Sequence, residues 1–209
     1  MLLNLQNKDR PKNINNKSIK RSPMKLGVVV VSTREERVGK IVSDWFADFA
    51  KEHSDYDVET LDLKEINLPL LDEPKHPVMK DYQFEHTKNW SALVEPCDAF
   101  VFVTPEYDYA APASLVNAVS YLAQEWNYKP VGFVSYGGIS GGLRSVQSAK
   151  PMLTTLKMMP VPEGVSFHFV QNNIADNKLA PERKHEDMAR MMLNELAKWS
   201  EALADLRNN

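Results

Sequence analysis

"KLGVVVVSTREERVGK", Lys25 to Lys40, is the stretch that decides how this chain is read. Its first half is a continuous Val-rich run, too short for a buried helix, as expected of a central parallel strand. From Val38 the period changes, and Ile41, Val42, Trp45, Phe46 and Phe49 recur at helical spacing. Between them lies a turn of hydroxyls and charges. Strand, polar turn and amphipathic helix make the opening of a βα unit.

The unit recurs down the chain. "YDVETLDL", Tyr56 to Leu63, alternates as a second, more peripheral strand. "NLPLLDEPKHP" reads as proline-punctuated loop, and about Tyr82 to Val94 as a helix leading into "AFVFV", Ala99 to Val103, the third strand. That strand is expected to break at Thr104. Pro112 suits the first turn of a helix through Leu115, Val116, Val119 and Leu122. "PVGFVSYG", Pro130 to Gly137, is a fourth strand, and the helix after it carries Pro151 as an expected kink or restart. "VSFHFV", Val165 to Val170, is the fifth strand, with His168 inside it as a packed or hydrogen-bonded imidazole. Met188, Met192, Leu196, Trp199, Leu203 and Leu206 step by three and four along a last helix. Such alternation predicts an α/β fold with a parallel sheet between helical layers, built by right-handed crossovers. Five units in this length fit a flavodoxin-like three-layer sandwich with a five-stranded sheet of order 2-1-3-4-5.

Composition bounds the function. At 209 residues, 43% hydrophobic and 25% charged, the chain fits one globular domain, expected over residues 24–209. Residues 1–24 carry six Lys/Arg against one Asp, a surplus of five positive charges, so the overall −3 leaves the remainder at −8. Residues 1–23 read as a disordered basic tail, and the acidic body argues against a nucleic-acid-binding surface. No apolar run nears the ~18–20 residues that cross a bilayer, and "MLLNLQNKDR" is too weakly apolar for a signal peptide. The single cysteine, Cys97, leaves no intramolecular disulfide and reads as a structural thiol in a reducing, cytoplasmic setting. The five histidines show no metal-ligand spacing, and no serine elbow or carboxylate pair appears.

In a 2-1-3-4-5 sheet, ligands bind beyond the carboxyl ends of the strands near the switch in strand order. The loops there hold the unusual chemistry. In "STREERVGK", Ser32 offers a hydroxyl, Arg34 and Arg37 can fork onto phosphate oxygens, Gly39 permits close backbone approach, and the helix N-terminus adds a positive dipole end. A solvated salt-bridged turn is the plain alternative. No G-x-G-x-x-G or Walker pattern is present, so a terminal phosphate suits the loop better than a nucleoside triphosphate. In "PEYDY", Pro105 and Pro112 stiffen the ends, Tyr107 and Tyr109 offer flat faces, and Glu106 and Asp108 are expected to anchor the loop on backbone N–H groups. In "SYGGISGG", Ser135 to Gly142, four glycines strip away side chains so that amides can approach a planar ligand.

These segments together resemble the NAD(P)H-dependent FMN reductase family. The resemblance runs from about Met24 to Phe169 and rests on "STREERVG", "PEYDYAAPASLVNAVSYL" and "EWNYKPVGFVSYGGISGGLRS" in that order. It implies a non-covalently bound FMN, its phosphate on the first loop near Ser32, Arg34 and Arg37. The ring would lie between Pro105, Glu106, Tyr107 and Asp108 on one side and Ser135, Tyr136, Gly137, Gly138 and Gly141 on the other. Asp108 stands where family members often carry Asn; a carboxylate only accepts hydrogen bonds, whereas an amide also donates. The resemblance further implies ping-pong transfer from NAD(P)H through FMN to a small-molecule electron acceptor such as free flavin, a quinone, an azo compound or a metal ion, with no catalytic side chain. It also implies a homodimer or homotetramer. The alternative is a non-enzymatic FMN-binding electron carrier or regulatory module.

Overall fold

The structure, a computed structural model, describes residues 23–207. The expected basic tail thus lies, but for Pro23, outside the described residues. Five parallel strands form the central sheet in the order β2-β1-β3-β4-β5: β1 Lys25–Val30, β2 Asp57–Asp62, β3 Ala99–Pro105, β4 Pro130–Tyr136 and β5 Met159–Phe167. The order is the one the alternation predicts.

Period-2 alternation sorts the strand side chains to two faces. In β3, Phe100 and Phe102 join one core, packed with Trp90 of α3 (Glu85–Val94), Leu115 of α4 (Ala113–Ser120) and Leu153 of α5 (Leu143–Thr155). Ala99, Val101 and Val103 face the other core, with Phe46 of α1 (Val38–His53) and Met192 of α6 (Arg183–Ala202). Trp90 and Trp126 are fully buried, each with its indole N–H on a backbone carbonyl of the α4 segment. Cys97 is buried and free, and burial pushes its thiol up to about 12, as an inert structural residue requires.

Several boundaries differ from expectation. β3 continues through Thr104 and Pro105, which pair with Ser135 and Tyr136. β5 begins at Met159 and holds Pro160 and Pro162, which an edge strand tolerates because one row of its backbone groups needs no partner. His168 therefore lies past the strand, exposed, with Nδ1 2.8 Å from the Ile139 carbonyl. Helix α5 runs through Pro151 as one element; the carbonyl freed at Gln147 is on an exposed residue, where water can take the lost bond. The last helical stripe is divided into α6 and a short α7, Ala204–Arg207. A one-turn α2, Leu63–Ile66, and a small hairpin, β6 Ile174–Ala175 with β7 Lys178–Leu179, carry no periodicity long enough to be read. Among the described residues no helix is long and apolar enough to cross a membrane, and no His/Cys/Asp/Glu group is placed to hold a metal.

Candidate functional site

The loops after β1, β3 and β4 meet at the carboxyl edge of the sheet. The first begins at Ser32, which is buried with its hydroxyl 3.0 Å from that of Tyr107. It ends on α1, whose N-cap, Arg37, supplies no side-chain cap and whose first turn holds no acid. The first N–H groups and the positive dipole end of α1 are thus left without a protein anion. Arg34 is exposed and has no ion pair among the described residues. Arg37 is nearly buried and pairs through Nη2 with Asp62 at the end of β2, while its Nε is buried with no partner. The expected fork on phosphate is therefore half spent on Asp62, whose side chain also caps α2 at the Lys64 N–H. Gly39 was expected to admit ligand; instead a Cβ there would lie 2.4 Å from the Tyr136 hydroxyl, so the glycine makes room for that side chain. Tyr136 is buried beneath the loop, and burial above all pushes its phenol well above the ordinary range.

The second loop is a tight hairpin. Tyr107 and Ala110 exchange both backbone hydrogen bonds, 3.2 and 2.9 Å, around Asp108 and Tyr109 at φ 50° and 68°. Two successive left-handed residues define a type I′ turn, a conformation that Asp tolerates better than most. Asp108 is exposed and makes no side-chain hydrogen bond among the described residues, so it holds the turn by its backbone and does not anchor the loop. Glu106 does anchor it: Oε2 accepts from the Arg144 backbone N–H at 3.0 Å and from Ser140 Oγ at 2.6 Å, and Oε1 accepts from the Arg144 guanidinium at 3.0 Å. Burial pushes the Glu106 carboxyl up, but these donors outweigh it and hold the group below the usual carboxylate range.

The four glycines of the third loop do two different jobs. Gly141 and Gly142 are left-handed, at φ 59° and 84°, and a Cβ would meet Ser166 Oγ at 2.3 Å in the first and the Tyr136 N at 2.7 Å in the second. They close the turn onto β4 and β5, where the Gly141 carbonyl accepts from both Ser135 Oγ and Ser166 Oγ at 2.8 Å. Gly138 has nothing within 4 Å of where its Cβ would stand, and Gly137 is tight only against the Gly142 N. Only Gly138 presents bare backbone toward open space.

A fourth wall, Phe169 to Asn172, was not foreseen. Its Phe169 and Val170 N–H groups bond the Gly138 and Gly137 carbonyls at 3.0 and 3.2 Å. These residues follow the strand without a glycine, proline or charge pattern that could have flagged them. Together the walls frame a cavity of about 480 Å³, lined by Ser32, Arg34, Glu36, Arg37, Val38, Pro105, Glu106, Tyr107, Tyr136, Gly137, Gly138 and the Phe169–Asn172 segment. Gly39, Asp108, Ser135 and Gly141 do not line it; they shape the loops from behind.

A 2-1-3-4-5 parallel sheet with a cleft at the β1/β3 switch defines the flavodoxin-like class, in which FMN is bound at that point. Comparison with known proteins narrows this. Residues 24–172 match the model of the NADPH-dependent FMN reductase family. An NAD(P)H-dependent FMN reductase of Schizosaccharomyces pombe is 36% identical over 159 residues, covering 75% of this chain and 79% of that protein. A quinone reductase of Pseudomonas putida is 30% identical over 169 residues, covering 75% of this chain and 87% of its own. The chain belongs to the NADPH-dependent FMN reductase family, which makes it an oxidoreductase working with FMN and NAD(P)H. The fold is shared with FerB, a flavoenzyme NAD(P)H:(acceptor) oxidoreductase of Paracoccus denitrificans, at TM-score 0.66 and 19% identity over 86% of this chain and 98% of that one.

Proposed function

We propose that the chain is a ping-pong NAD(P)H-dependent reductase that holds FMN in the cavity between the three loops and reduces a small-molecule acceptor, a quinone foremost. The observation that carries this is the set of unspent donors along the cavity wall: Arg34, without an ion pair among the described residues, the orphaned Arg37 Nε and the N-terminus of α1, which has no side-chain cap. A buried N–H without an acceptor is costly, and a phosphate oxygen is the acceptor this set fits. The residues present therefore suit the group. Ser32, Arg34 and Arg37 would hold the phosphate, while the Pro105–Tyr107 backbone and Gly137–Gly138 would flank the ring. FMN, when bound, supplies the redox chemistry by accepting a hydride and passing electrons on. The chain's own residues orient it and keep water from it, and no side chain is needed as a general acid or base. The quinone reductase of Pseudomonas putida supports the choice of acceptor.

The test begins with the visible spectrum after adding FMN, and proceeds to steady-state rates with NADPH varied at several fixed quinone concentrations. Parallel double-reciprocal lines are expected. Intersecting lines would reject the ping-pong order, and absence of a bound-flavin spectrum would reject the site.

A cytoplasmic, homodimeric enzyme completes the reading. Asn117 of α4 ties down the Pro69–Leu71 loop through Leu71 N at 3.0 Å and the Pro69 carbonyl at 2.6 Å; Leu70 and Leu71 of that loop and Val116 of α4 are exposed. This apolar face suits a second copy of the chain. Sedimentation should give twice the monomer mass, and Leu70→Lys should halve it.

A further inference from the structure

We propose that Tyr109, held from below by Arg144, is a stacking platform that selects flat aromatic acceptors. The inference rests on the assignment of the neighbouring cavity to FMN.

Tyr109 is an unusual residue for its position. A non-glycine side chain in the left-handed region costs roughly 1–2 kcal/mol, and large aromatics are among the less common choices there. Here φ is 68° at the second turn position, where a glycine would meet no such cost. The ring does not buy burial in return, since it is 69% exposed. What holds it is a cation: the Arg144 guanidinium lies 3.9 Å from the ring centroid. Arg144 is itself fixed, because its backbone N–H and its Nη1 both bond the Glu106 carboxylate. Glu106 lines the cavity, as does Tyr107, the residue at the base of the same turn. One face of the Tyr109 ring is thus taken by a planar cation, and the residue stays largely in water, two positions along the turn from Tyr107 of the cavity wall.

An ordered, half-covered aromatic ring at a substrate entrance recognises another flat π system by offset stacking. The buttressing cation draws on the ring from the covered side, and it also favours an acceptor that gains negative charge as it is reduced. The stacking face suits a quinone and offers nothing to a compact inorganic acceptor, whereas the charge serves both, so the ratio of two such acceptors reads the stacking. Tyr109 is the specificity-determining residue in this scheme, and Arg144 is a positioning residue that acts through it.

The test uses holoenzyme with NADPH and two acceptors, menadione and ferricyanide, and reads the ratio of their kcat/KM values. Tyr109→Ala should lower the menadione-to-ferricyanide ratio about five-fold or more, chiefly through the menadione KM. Tyr109→Phe, which keeps the ring, should restore the ratio. Arg144→Lys keeps the charge but loses the planar stack, and should move the ratio in the same direction as Tyr109→Ala. A ratio within about two-fold of wild type in Tyr109→Ala, or an equal fall in Tyr109→Phe, overturns the platform. If wild-type protein takes up no FMN, the cofactor assignment itself fails. Wild-type protein that binds FMN and turns over ferricyanide, with a ratio unmoved by Tyr109→Ala, overturns the platform alone.

Discussion

The two edges of the sheet are both rich in polar groups, yet they are used in opposite ways. At the amino edge several of the groups satisfy one another. Asp98 accepts from the Lys25 backbone at 2.8 Å and from Arg207 at 3.2 Å, and Arg207 also donates to the Tyr128 and Ser200 carbonyls at 3.1 and 3.0 Å. Lys129 caps the end of α3 on the carbonyls of Val94 and Glu95, at 3.1 and 2.8 Å. At the carboxyl edge the loops are also stitched together, but Arg34, Arg37 Nε and the first turn of α1 are left over. The hollow at the amino edge is the larger, about 970 Å³ against about 480 Å³. A buried orphan donor, Arg37 Nε, rather than volume, distinguishes the carboxyl edge.

Substitutions can break this contrast, beginning with the largest effect. Gly142→Ala should cost about 3 kcal/mol or more of stability by chemical denaturation, because the new Cβ meets backbone at a positive φ. Gly138→Ala, with open space at its Cβ, should leave stability within about 0.5 kcal/mol while weakening FMN binding. If both variants lose stability alike, the division of labour among the glycines is wrong. Next, Arg34→Ala should raise the FMN dissociation constant about thirty-fold, near 2 kcal/mol, with stability held within about 0.5 kcal/mol. Arg207→Ala should do the reverse, losing about 1–2 kcal/mol of stability with FMN affinity intact. Equal effects of the two arginines on both readouts would erase the distinction between the edges.

The smallest effect is a pH dependence at the amino edge. Burial lowers the Lys129 pKa from 10.5 to about 8, so between those values the unfolded chain binds more protons than the folded one. Stability from this group therefore rises as pH goes from about 8 toward 10.5 and is flat below. Cys97, raised from 9.0 to about 12, acts with the opposite sign above pH 9. Lys129→Met removes the lysine contribution together with the pull of its charge on the Cys97 thiol, so the stability difference between wild type and variant should drift in favour of wild type over pH 8–10. A difference that does not change with pH would show that Lys129 stays charged in the folded state.

Much of this was legible in the sequence because it is local. The Val-rich run of β1 and the helical stripe after it specify one βα unit without help from the rest of the chain, and the loops announce themselves by residue type. What escaped was set by partners far along the chain. Nothing near Arg37 says that Asp62, twenty-five residues on, will take half of its guanidinium. "SYGGISGG" shows that glycines are needed but not which two need positive φ and which one faces open space. Pro160 and Pro162 argue against a strand until β5 is known to be an edge. The Phe169–Asn172 wall has no composition of its own and is defined only by the carbonyls it meets.

The ties around the cavity form a series. Tyr107 joins the second loop to the first, Glu106 joins it to the third, and the Gly137 and Gly138 carbonyls join the third to the segment after β5. The conformational entropy of all four segments is therefore surrendered when the chain folds, not when a ligand arrives. On the proposed assignment, an incoming flavin would meet walls that are already preorganised, and little of its binding energy would go into ordering them.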